Sequence, residues 1–195
     1  NYMELFENIK NIDFIGLEKI MHTFIEKTES LYTTLMDKAL RDKISVSLED
    51  AERHDMAYFF RAKEYDNYFK KERAVETLKE TLANMGIRLD KQNNIAIDTE
   101  ERPSKSPRAF CSGIRVPDEV KLVIMPHGGH DDYASLFHEA GHAEHYGCVN
   151  ADLDMEYKRL GDNSVTETYA FLLEYLLTNE KWLRQHTPIK DAEPY

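Results

Sequence analysis

The chain has 195 residues, 42% apolar and 31% charged, which suffices for one well-packed domain and excludes a disordered, fibrous or disulfide-stapled class. A formal charge of −11 excludes the clustered basic surface that general nucleic-acid binding needs, although an acidic cleft would favour cationic substrates. Cys111 and Cys148 form neither a disulfide framework nor a CxxC pair, and no apolar run reaches the roughly 18 residues of a membrane span, so a cytoplasmic protein without a membrane segment is expected.

The first residue is Asn1 rather than Met, and NYMELFENIKNI reads as the interior of an amphipathic helix, so a piece of a longer protein is expected. Over residues 14–40, Ile15, Ile20, Met21, Phe24, Ile25, Leu31, Leu35, Met36 and Leu40 recur at three- and four-residue spacing, which predicts one long helix or two abutting ones. SLEDAERHDMAYFF then offers Ser47 as a cap with Asp50 three residues on, ahead of the aromatic cluster Tyr58, Phe59 and Phe60. With Tyr65, Tyr68 and Phe69, that cluster is expected in the core. KKERAVETLKETLANMG predicts another helix, with Val75, Leu78, Leu82 and Met85 on one face and a stop at Gly86.

After Gly86 the texture changes. IRLDKQNNIAID and RAFCSGIRVPDEVKLVIM are short β-branched runs broken by Asn-Asn, Ser-Gly and Pro-Asp, which predicts a small antiparallel sheet within residues 87–126, with ERPSKSPR as an internal loop. PHGGHDD is a Gly-rich loop from which Asp131 or Asp132 can cap the helix YASLFHEAGHAEHYG, ended by Gly147; a further helix begins near Asn163 or Ser164. The expected architecture is therefore mainly α with a small antiparallel β-sheet (α+β), one unit in three portions: helical 1–86, sheet 87–126, and helices 127–195 that carry the chemistry.

That chemistry starts at HEAGH, residues 138–142, an H-E-x-x-H match. Residues four apart share one helical face, so His138 and His142 can present their imidazoles to one ion while Glu139 lies beside the water that the metal would activate. By composition alone the bare match arises by chance in roughly 3–4% of such sequences, so a third ligand has to be found. Glu167, 25 residues beyond His142, is the strongest downstream candidate and completes a His2Glu set suited to zinc. A plainer alternative exists, because Ser164-Val165-Thr166-Glu167 is also a capping box in which Glu167 bonds back to its own helix start.

HEAGHAEH followed by ETYAFLLE resembles the zinc metallopeptidase family that contains thimet oligopeptidase and oligoendopeptidase F. RAFC at 108–111, the apolar strand at 120–125 and DYASLFHE match that family's approach to its metal helix, and the resemblance covers about residues 50–185. It implies a zincin-like fold, one Zn2+ per chain, His138, His142 and Glu167 as its ligands, Glu139 as general base, and short unfolded peptides as substrates. The chain departs from the family pattern in HGGHDD and at Thr168-Tyr169, where many members have Pro second. It also ends before the Tyr and His that members use downstream to hold the scissile carbonyl. A metal-binding piece without turnover is therefore an alternative. A zinc carboxypeptidase is another, but it would need a basic pocket to which no residue in the sequence points.

Four further residues sit near this centre in sequence. His145 is near the metal face and is expected beneath a ligand or in packing rather than on the metal; Glu174, seven beyond Glu167, can accept the other N–H of a ligand histidine. His127 and His130 flank Gly128-Gly129 and are expected to line the cleft, with the glycines letting a peptide backbone come close. Cys111 is expected as a strand residue, not a nucleophile, because no His-Asn pattern accompanies it.

Overall fold

A computed structural model describes residues 1–159 and 163–189 and divides the chain into two compact units, Asn1–Arg61 and Ala62–Tyr195. The sequence suggested a single unit whose texture changes at residue 86; the division falls earlier, after the third helix.

The first unit is helical, with α1 (Tyr2–Lys10), α2 (Phe14–Ile44) and α3 (Arg53–Arg61). Asn1 and Glu4 form a reciprocal capping box on α1, and Asp13 caps α2 by accepting the Gly16 N–H at 3.0 Å. α2 contains the whole of the predicted 14–40 helix. Ser47, by contrast, caps no helix: its hydroxyl and Asp50 close a turn, and α3 begins only at Arg53. Short polar side chains close turns as readily as they start helices, which is why the spacing misled. The aromatic cluster expected in the core lies largely outside it, since Tyr58 is 64% and Phe60 60% exposed.

In the second unit Phe69 is buried, and α4 (Ala74–Asn84) ends as its sequence predicts. Gly86 takes φ +87°, and the Ile87 N–H turns back to the Leu82 carbonyl at 2.8 Å. Three strands follow, β1 (Ile95–Asp98), β2 (Phe110–Arg115) and β3 (Glu119–Val123), in the order β1–β3–β2. β2 and β3 are antiparallel neighbours, but β1 runs parallel to β3, so the sheet is mixed and not the antiparallel one expected. The loop at 99–109 is the reason. It carries the chain past the β3 position before β2 turns back, and β3 then enters between them in β1's direction. Lys105 pins that loop: its side chain is 2% exposed, and its ammonium donates to the carbonyls of Asp98, Glu100 and Ile124 and to the Asp98 carboxylate at 2.8–3.0 Å.

The core of this unit lies between the sheet and α5 (His130–Gly147). β3 contributes Val120 and Leu122, and α5 contributes Tyr133, Leu136, Phe137, Ala140 and Ala143, spaced by three and four along one face. Burial of Leu136 or Phe137 stabilises by roughly 1.5–3 kcal/mol each. Neither Asp131 nor Asp132 caps α5 as expected. The cap position is Gly129, and Asp132 reaches back from the first turn to accept the His127 and Gly128 N–H groups at 2.7 and 2.9 Å, which fixes the Gly-rich loop. α6 (Met155–Arg159), α7 (Asn163–Glu174) and α8 (Glu180–His186) follow. Trp182 of α8 packs edge-on against Phe137 and donates to the Thr81 hydroxyl at 3.0 Å, tying α8 to α5 and α4. No described helix is long and apolar enough to cross a membrane.

Candidate metal centre

With one face of α5 committed to the core, His138 and His142 emerge on the side that α7 covers. Gly141 permits that cover. A Cβ there would lie 2.3 Å from the Tyr169 carbonyl oxygen and 2.5 Å from the Ala170 Cα, so only glycine lets the two backbones come this close. The approach sets Glu167, in the first turn and a half of α7, opposite both histidines.

Glu167 Oε2 is 3.4 Å from His138 Nε2, and Oε1 is 3.7 Å from His142 Nε2. One ligand atom from each of the three residues lies within 4.8 Å of the others, so the group can hold a metal ion. The separations fit: two ligands about 2.1 Å from a tetrahedral metal stand roughly 3.4 Å apart. The Glu167 carboxylate thus faces both imidazoles, and the three side chains together could hold a metal ion.

The far sides of the two rings are held as well. Glu174 Oε2 lies 2.7 Å from His138 Nδ1, and since a carboxylate only accepts, it places the proton on Nδ1 and leaves the Nε2 lone pair free. Thr166 Oγ1, on a residue 7% exposed, lies 2.8 Å from His142 Nδ1 and holds that ring's orientation without deciding its tautomer, since a hydroxyl can donate or accept. Glu174 was foreseeable from its spacing. Thr166 was not, because in the sequence it is only an interior residue of the apparent capping box, and its value depends on how α7 is rotated against α5.

Glu139 stands one residue from His138, its Oε2 accepting the Cys111 N–H of β2 at 2.8 Å. β2 is the outer strand next to β3, and this N–H points away from the ladder toward the helix. Sequence reasoning missed the contact because it joins two segments 28 residues apart. Burial, with the Glu139 charge second, pushes the Cys111 thiol up to about 12, so Cys111 stays a thiol, in line with its expected role as a strand residue. Glu139, His138 and Glu174 open onto a cavity of about 510 Å³ whose other walls include Arg108, His127, Asp131 and Ser135.

Of the remaining candidates, His127 does line this cavity. His130 does not: it begins α5 with its ring edge-on against the buried Phe69, centroids 5.2 Å apart. His145 stacks on Tyr169 of α7 at 4.9 Å, a packing contact between the two helices, and burial with His142 nearby lowers its pKa. Cys111 and Cys148 are both free. No family model matches the chain, and no curated protein matches it in sequence.

Proposed function

We propose that the chain is the catalytic part of a zinc-dependent peptidase acting on short peptides, similar to the thimet oligopeptidase and oligoendopeptidase F family, and that it works in the cytoplasm. The observation that supports this best is the convergence of His138 Nε2, His142 Nε2 and the Glu167 carboxylate, with His138 and its neighbour Glu139 also lining an open cavity. Held by His138, His142 and Glu167, zinc would supply Lewis acidity toward a water and the scissile carbonyl.

The protein's own groups do the rest. Glu139 is the general base: the Cys111 N–H holds Oε2, so Oε1 takes the proton of the attacking water and returns it to the leaving amine. No covalent enzyme intermediate is needed, in keeping with a Cys111 that stays protonated. Glu174 and Thr166 keep the two imidazoles aimed.

Metal content and turnover test the proposal together. One zinc per chain is expected, lost in Glu167→Ala, and hydrolysis of a fluorogenic peptide is expected to fall by at least 100-fold in Glu139→Gln while zinc is retained. Full zinc in Glu167→Ala would return Glu167 to helix capping. Zinc binding without any turnover in the native chain would leave a metal-binding domain in place of a peptidase.

A further inference from the structure

The charged groups around the cavity divide into those that have protein partners and those that do not. Glu139 takes the Cys111 N–H, Asp132 takes the loop N–H groups, and Glu174 takes the His138 imidazole. Arg108 differs. It lines the same cavity from the segment that leads into β2, and among the described residues its guanidinium has neither an ion pair nor a hydrogen bond; only its backbone N–H is engaged, by the Ser106 hydroxyl. An arginine serving as countercharge to the carboxylates that share this lining would pair with one of them. It pairs with none. Its backbone is nevertheless fixed, since Lys105 anchors the loop three residues before it and Phe110 enters the ladder opposite Val123 two residues after.

We propose that Arg108 selects substrates by a carboxylate: its planar fork pairs side by side with a carboxylate of the bound peptide, either the C-terminus or an acidic side chain. The inference rests on the peptidase reading and adds its substrate class. It also supplies the basic group for which the sequence offered no candidate, because Arg108 lies 30 residues before the first ligand histidine and only the fold brings it to the cavity. A volume near 510 Å³ suits one or a few residues of a peptide.

The test compares matched quenched peptides ending in a free carboxylate or an amide, and a second pair carrying Glu or Gln beside the cleavage site. The zinc-loaded protein is assayed for KM, and its Glu139→Gln variant for Kd by fluorescence anisotropy. Binding roughly tenfold tighter for the carboxylate member of one pair is expected, read in KM and Kd and not in kcat. The pair that shows it identifies the source of the carboxylate. Arg108→Gln is expected to bring both members of that pair to the same Kd, and Arg108→Lys to restore part of the difference, because an ammonium keeps the charge and loses the fork. No preference in either pair, or a preference that survives Arg108→Gln, would overturn the assignment. An Arg108-dependent preference in Kd without cleavage of any peptide would remove the peptidase reading and leave Arg108 as a carboxylate-binding residue.

Discussion

α5 and α2 carry apolar residues at the same three- and four-residue spacing, and they use them differently. α5 buries seven of its 18 residues, whereas α2, with 31, buries only Met36 and Leu40 and leaves Leu17, Phe24, Leu31 and Leu35 exposed. Periodicity states that a helix forms and which stripe is apolar; it does not state that the stripe is covered. On α5 the covered stripe is what gives the opposite side its chemistry. A helix seated by Leu136 and Phe137 against the sheet cannot rotate, so His138 and His142 point one way and α7 finds them.

The contrast is broken most directly by truncation. Leu136→Ala, fully buried, is expected to lower stability by about 2–5 kcal/mol. Leu35→Ala, 58% exposed on α2, is expected to stay within about 0.5 kcal/mol. Urea unfolding of both variants measures the difference. Equal losses would mean that the α2 stripe is covered in solution and that the two helices are alike.

A smaller effect separates the glycines of the same two helices. In Gly141→Ala the new methyl meets the Tyr169 and Ala170 backbone, which cannot yield without moving α7, so a loss of about 1–3 kcal/mol and a weakened hold on zinc through a displaced Glu167 are expected. In Gly16→Ala it meets only the Asp13 carboxylate, which can swing away. There a helix-propensity gain near 1 kcal/mol offsets the lost cap of similar size. Thermal unfolding and zinc titration of the pair check this; unchanged zinc affinity in Gly141→Ala would show that the α5–α7 approach does not position Glu167 for the proposed metal.

What could be seen in the sequence follows the same division. HEAGH was legible because helix spacing puts His138 and His142 on one face, Glu167 because a two-histidine helix calls for a further ligand, Glu174 because it lies two turns along the same helix as Glu167, and the Gly86 stop because only glycine suits its φ. Contacts that no motif announces were not. The parallel pairing of β1, the Cys111 N–H on Glu139, and Arg108 at the cavity wall depend on how separate segments meet, and Gly141 looked like a free position of the motif although it sets the distance between helices. Ser47 failed for a related reason: its local chemistry allows a cap or a turn, and the surroundings chose the turn.

The smallest expected difference is electrostatic and again sets the two units against each other. Asp98 at the end of β1 is held by Arg102 and then by the buried Lys105, and Asp37 on α2 by Arg41 and then by the Leu48 N–H; both carboxyls lie below their ordinary range. A carboxyl whose folded pKa is depressed adds stability that is complete above its unfolded value, about 3.9, and is lost as pH falls through the folded one. Both aspartates therefore stabilise the protein at neutral pH, and both contributions fade below about pH 4. The Asp37 pair is exposed to water, which screens it. Asp98 faces an ammonium that is 2% exposed and whose other contacts are carbonyls, so its protonation leaves Lys105 charged and buried without a counter-ion. Melting temperature against pH should thus fall more steeply below pH 4 in the native chain than in Asp98→Asn, which has lost that contribution already, whereas Asp37→Asn should run nearly parallel to the native curve. Parallel curves for all three would mean that the loop carrying Arg108 is held by the carbonyls around Lys105 without help from the Asp98 charge.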